Sequence, residues 1–201
     1  MTLEHLHQNF PGFKENPRPR DRQRSKLYAA EYFCFGKYKE EFKDWEKMVK
    51  FIHGVLSNRH VAKKYPKAVR LMSGEEEFRI RKGPGSRFPY VFMVPNGVYH
   101  TNLVTFPRRY RNKQTILHEL AHILTADNVE SHGREFCKTY LYLTRIILGR
   151  ETERKLKQSM KKANCKYGKA HSPWSGPITP EQKEMLKHRL NGIKDSESRN
   201  Q

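Results

Sequence analysis

The chain is poor in cysteine, in long apolar runs and, over much of its length, in acidic residues. Cys34, Cys137 and Cys165 are an odd number with no Cys-x-x-Cys spacing, which points away from a disulfide framework or a zinc ribbon and towards reduced thiols. No apolar run approaches the length that crosses a bilayer, and with a mean hydropathy of -0.92 a soluble chain with no membrane partner is expected. The opening MTLEHLHQNFPGFKENPRPRDRQR lacks the apolar segment and small-residue cleavage site of a secretory signal, so a cytoplasmic location is expected. At 201 residues the chain can bury one real core and still carry tails.

The shortage of acids is local. None occurs from Phe78 to His118, while Arg79, Arg81, Lys82, Arg87, Arg108, Arg109, Arg111 and Lys113 accumulate there. A second acid-free stretch carries Arg154, Lys155, Lys157, Lys161, Lys162, Lys166 and Lys169. Forty Lys and Arg against 21 Asp and Glu give a net charge of +19, which suits a polyanionic partner and leads us to expect nucleic-acid binding with little sequence preference. Tyr90, Tyr99, Phe88 and Phe106 lie among those cations and are candidates for stacking on single strands, although alternating aromatics in strands usually pack in a core.

The pattern divides the chain into three parts. Residues 1–27, rich in Pro and Arg, read as a flexible basic arm. Residues 28–165 read as one α+β domain, and 166–201 as a basic linker with a short terminal helix at PEQKEMLKHRLNG. Within the domain, Phe42, Trp45, Met48, Val49, Ile52 and Val55 recur at three- and four-residue steps, which predicts an amphipathic helix that Asn58 helps to end. The runs AVRLM, EFRIRK, PYVFMV and VYHTNLVTF, separated by Gly, Pro and Asn, predict a small, mostly antiparallel sheet. A buried helix follows over TILHELAHIL, closed near Asp127 and Asn128. A second covers GREFCKTYLYLTRII and stops at Gly149, and a third, basic helix covers ETERKLKQSMKKAN.

The buried helix carries the chemistry. HELAH puts His118 and His122 four residues apart, on one helical face, where two imidazoles can grip one metal ion. Zinc accepts neutral imidazole nitrogen, and three protein ligands leave a fourth position for water. Glu119, beside the first ligand, can take that water's proton without binding the metal. The third ligand must come from beyond the helix. His132 arrives at the start of the next helix, with Gly133 letting the backbone pass close to the site. Glu130 and Glu135 are rival oxygen ligands, and the preferred role for Glu135 is to hold a ligating imidazole from behind by a hydrogen bond.

HELAH, a short loop and then HGREFCKTY resemble the SprT-like zinc metallopeptidases, including the Spartan-type proteases, whose pattern is HExxH, a loop, then HGxxF on the next helix. The closest resemblance is to a compact group of metallohydrolases of actinobacteria and their phages, with a YAAE stretch ahead of a helix, a few strands and this motif. It covers residues 28–149, and no Cys-rich ribbon follows. It implies a zincin-like fold with the sheet packed on the active-site helix and following helices. It also implies one zinc per chain on His118, His122 and His132, with Glu119 as the catalytic acid/base. A metzincin would need its third histidine where Asn128 stands.

Zincin folds bind an extended peptide along an edge strand above the metal helix, and VYHTNLVTF is the strand expected to do so. His100, Tyr99 and Tyr140 are candidate oxyanion stabilisers. The expectation is a zinc metallopeptidase acting on a protein or peptide substrate. The alternative is a nucleic-acid-binding protein with a structural zinc, which would need a fourth protein ligand and would leave Glu119 without a role.

Overall fold

A computed structural model describes residues 20–37, 40–84, 90–96, 99–125 and 129–168, with 90–96 and 99–101 described by backbone pairing alone. The described residues form a mixed α+β unit with the order α1 (Arg24–Phe35), α2 (Trp45–Leu56), α3 (Arg59–Lys64), α4 (Pro66–Ser73), β1 (Glu77–Lys82), β2 (Tyr90–Asn96), β3 (Tyr99–Phe106), a 3-10 turn at Arg108–Tyr110, α5 (Lys113–Leu124), α6 (Arg134–Ile147) and α7 (Arg150–Lys162). The expected terminal helix, most of the arm, Phe88, Asp127 and Asn128 lie outside the described residues.

Local chemistry explains where the helices begin. The Asp44 carboxylate accepts from the Glu46 and Lys47 backbone N–H groups and so starts α2, the amphipathic helix, which buries Met48, Ile52, Val55 and Leu56. Asn58 does not simply end it. Its side chain accepts from the His60 N–H and opens α3. The run AVRLM is not a strand but part of α4. Pro66 at the first helical turn and Gly74, left-handed at φ 83, bracket a helix that buries Ala68 and Leu71 three residues apart.

The sheet is mixed rather than mostly antiparallel. Its order is β1-β3-β2, with β1 parallel and β2 antiparallel to β3. The short β1–β2 connection looks like a hairpin in sequence, but β3 takes the place between those strands. Asn102, Val104, Thr105 and Phe106 of β3 are all buried, whereas β1, EFRIRK, keeps its charges at an open edge, where strands with cations resist stray pairing. Among the described residues β3, the YHTNLVTF part of that run, is therefore the centre of the sheet, not an edge that could receive a peptide. Phe106 belongs to the core and is not a stacking surface.

Helices build the other half of the core. α1 packs along α7, α7 against α6, and α6 against α5, which also adjoins β2. α5 is buried on almost every side, with Ile116, Leu117, Leu120, Ala121 and Ile123 fully enclosed. Truncating one such leucine costs about 2–5 kcal/mol, a large share of the roughly 5–15 kcal/mol that holds a domain together. α5 is thus a rigid platform for whatever its polar residues do. Residues 20–27, expected to belong to a flexible arm, are part of this packing. Gln23 is buried, its amide donates to the Lys166 carbonyl just past α7, and Leu27 of α1 is fully enclosed. Among the described residues no helix is long and apolar enough to cross a membrane.

Candidate metal centre

The Asn112 side chain accepts from the Thr115 N–H and starts α5, which carries His118 and His122 one turn apart. His132 comes from the loop ahead of α6. Gly133 caps that helix in a tight turn, its N–H donating to the Glu130 carbonyl at 2.8 Å. A Cβ on Gly133 would stand 2.9 Å from the Glu130 Cβ, so the close pass expected of this glycine comes from packing and not from an unusual φ. The result is convergence. His118, His122 and His132 each offer a ring nitrogen, and all three lie within 4.8 Å of one another. The His118 Nε2 is 3.2 Å from the His122 Nε2 and 3.3 Å from the His132 Nε2.

The opposite faces of two rings are held by carboxylates. The His118 Nδ1 lies 2.7 Å from the Glu31 Oε1, and the His132 Nδ1 lies 2.5 Å from the Asp21 Oδ2. Each contact fixes the tautomer, because Nδ1 carries the hydrogen that the carboxylate accepts. Nε2 is then left as a bare lone pair. Lone pairs pointing at one another across 3.3 Å repel unless a cation lies among them. A single proton can bridge only one pair, so a convergent set of three is compatible with a metal ion.

Charge and burial act on these groups in different directions. Burial alone would lower the basicity of His118, but the Glu31 carboxylate and its hydrogen bond outweigh it and raise the pKa. His132 is lowered, first by burial and then by the neighbouring His118, against the pull of Asp21. Glu119 is almost wholly buried, and that burial raises its pKa to about 7 against the opposing effect of His118. A carboxyl poised near neutrality can both take and return a proton.

Aromatic rings frame the centre. Phe136 lies 5.0, 4.3 and 5.1 Å from the rings of His118, His122 and His132, and Tyr140 lies 5.6 Å from His118. Tyr28, on α1, sits 5.9 Å from His118 and 5.5 Å from His132. It is the ring of this group that reaches solvent. Tyr140 is fully enclosed, so it supports the imidazoles from within the core instead of meeting a substrate. The side chains of Tyr90, Tyr99 and His100 lie outside the described residues.

No family model matches this chain, and neither does any curated protein or solved structure. What the site does has to be argued from its own chemistry.

Two expectations about this site change. Glu135 is not the group behind His118 or His132, whose Nδ1 positions are taken by Glu31 and Asp21. Glu130 does not join the cluster either, and its carboxylate instead accepts from the Arg22 backbone N–H. With Gln23 donating to the His132 carbonyl at 3.0 Å, residues 21–23 grip the His132 turn at three points. The sequence gives no periodic signal for Asp21. Glu31 leaves one: it falls four residues after Leu27 and one after Ala30, both fully buried, and so is a carboxylate on the apolar face of α1.

Proposed function

We propose that the protein is a zinc-dependent metallopeptidase of the zincin-like, SprT-like kind, with one zinc per chain on His118, His122 and His132. The observation that carries this reading is the convergence of three Nε2 atoms whose rings are oriented from behind. Tetrahedral ligands at about 2.0–2.1 Å from zinc stand about 3.3–3.4 Å apart, and the observed separations are 3.2 and 3.3 Å. Among the described residues no fourth His, Cys, Asp or Glu joins the cluster. This favours an open, catalytic centre over the structural zinc of a purely nucleic-acid-binding protein.

Bound zinc would acidify water and polarise a carbonyl at the open position. Glu119 takes the proton from the attacking water and passes it to the departing amine, roles that suit a carboxyl raised to about 7 by burial. Glu31 and Asp21 keep His118 and His132 in the metal-binding tautomer, and Phe136 excludes water beneath them. Among the described residues, β2 is paired on one side only and adjoins α5, so an extended substrate backbone pairs with β2 and not with β3. The exposed Arg150, Arg154, Lys155, Lys157, Lys161 and Lys162 of α7 support non-specific nucleic-acid binding as an accompanying property.

The test is peptide hydrolysis by the zinc-loaded chain, by the same chain after chelation, and by Glu119→Gln. Activity is expected in the first alone. Hydrolysis that survives in Glu119→Gln removes the base, and hydrolysis that survives chelation removes the metal.

A further inference from the structure

We propose that the outer face of α1, running from Arg24 through Tyr28 to Tyr32 and Phe33, docks an acidic polypeptide segment that carries an aromatic or bulky apolar side chain, and delivers it to the histidine centre. This rests on the hydrolase reading and adds a substrate class to it.

Exposure is the first observation. Tyr28 is 38%, Tyr32 56% and Phe33 65% exposed. A single exposed apolar residue needs no explanation, but these three are clustered on one helix. Arg24, Tyr28 and Tyr32 follow one another at four-residue steps and so share a face, and Phe33 joins it with its ring 6.4 Å from that of Tyr32.

Position is the second. The row passes the site, because Tyr28, its second member, is the ring in contact with both His118 and His132. The nine steps from Arg24 to Phe33, at about 1.5 Å each, make a track of about 14 Å, the length of about four extended residues. A segment lying along it passes the imidazoles at Tyr28, with Arg24 on one side and Tyr32 and Phe33 on the other.

Charge is the third. The Arg24 guanidinium lies 5.7 Å from the Tyr28 ring centroid, and Arg20 and Arg22, just ahead of the helix, are exposed as well. The carboxylates of this region are buried or half-buried and turned inward, Asp21 to His132, Glu31 to His118 and Glu130 to the Arg22 backbone, whereas Arg20, Arg22 and Arg24 are exposed. The charge this face offers to a visitor is therefore positive, and basic segments are repelled. Cation-flanked aromatics also suit single-stranded nucleic acid. The polypeptide is favoured because the row passes the centre where a peptide bond is to be cut.

The experiment uses the full, metal-loaded chain carrying Glu119→Gln, so that peptides bind without being consumed. Three fluorescent ten-residue peptides are compared: one with Asp and Glu around a central Phe-Leu, one with Lys in place of the acids, and one with Ser in place of Phe-Leu. The acidic, apolar peptide is expected to bind at least about tenfold more tightly than either relative. Tyr32→Ser with Phe33→Ser should remove about tenfold of that affinity, with metal content and melting temperature unchanged because both side chains are exposed.

Equal binding of the three peptides, or undiminished binding in the double variant, overturns the proposal. Tighter binding of a single-stranded oligonucleotide that the double variant loses assigns the face to nucleic acid instead. Self-association that the double variant abolishes assigns it to a second copy. The hydrolase reading fails separately: the chain with Glu119 restored would then bind the acidic peptide through this face and leave it uncut.

Discussion

Helices α5 and α1 meet at the histidine centre, and they follow opposite rules. From Ile116 onward α5 is apolar apart from His118, Glu119 and His122. α1 is inverted, burying a carboxylate, Glu31, and exposing three aromatic rings. The comparison teaches where a functional residue becomes visible. A polar motif stands out against a greasy background, but a buried acid on a helix with exposed aromatics looks like noise. The three histidines were therefore readable, whereas Asp21 was not and Glu31 left only its place on the apolar face of α1.

The comparison can be broken by substitutions on each helix. Leu120→Ala on α5 removes a fully enclosed side chain and should destabilise the protein by about 2–5 kcal/mol in denaturant titration. A loss below about 1 kcal/mol would mean that α5 is not the rigid platform.

Glu31→Ala should weaken zinc binding roughly 10–100-fold, about 1.4–2.8 kcal/mol, by freeing the His118 ring. Glu31→Gln, which keeps an acceptor but drops the charge, should fall between. Glu135→Ala should change zinc affinity by less than about twofold, since Glu31 and Asp21 already hold the Nδ1 positions of His118 and His132. Competition with a coloured chelator gives the order, and a larger effect at Glu135 than at Glu31 would reverse the assignment.

Gly133→Ala sets a methyl 2.9 Å from the Glu130 Cβ and should cost about 1–2 kcal/mol in thermal melts by forcing the His132 turn to shift. A neutral result would show that the turn gives way easily. Tyr32→Ser, on the exposed face of α1, should alter stability by no more than about 0.5 kcal/mol. A larger loss would place Tyr32 in the packing and not on a surface.

Legibility followed periodicity elsewhere too. α2 and α6 were evident because their buried residues recur at helical steps, with Gly149 marking the end of α6. AVRLM misled because its β-branched and apolar residues fit a strand, while the deciding features, Pro66 and Gly74, lie outside the run. Strand order was not readable, since turn chemistry between β1 and β2 says nothing about which strand enters between them. The carboxylate pair was hidden for a related reason. Asp21 and Glu31 lie 111 and 87 residues from the histidines they hold, and no local pattern reports a contact of that range.

Metal content of the purified chain tests the central claim most directly. Elemental analysis should find about one zinc per chain in the parent and in Glu119→Gln, and close to none in His118→Ala, because the three-imidazole grip needs every member. A parent with no bound metal and no uptake from zinc-buffered solution, or a His118→Ala variant that keeps a full complement, would contradict it.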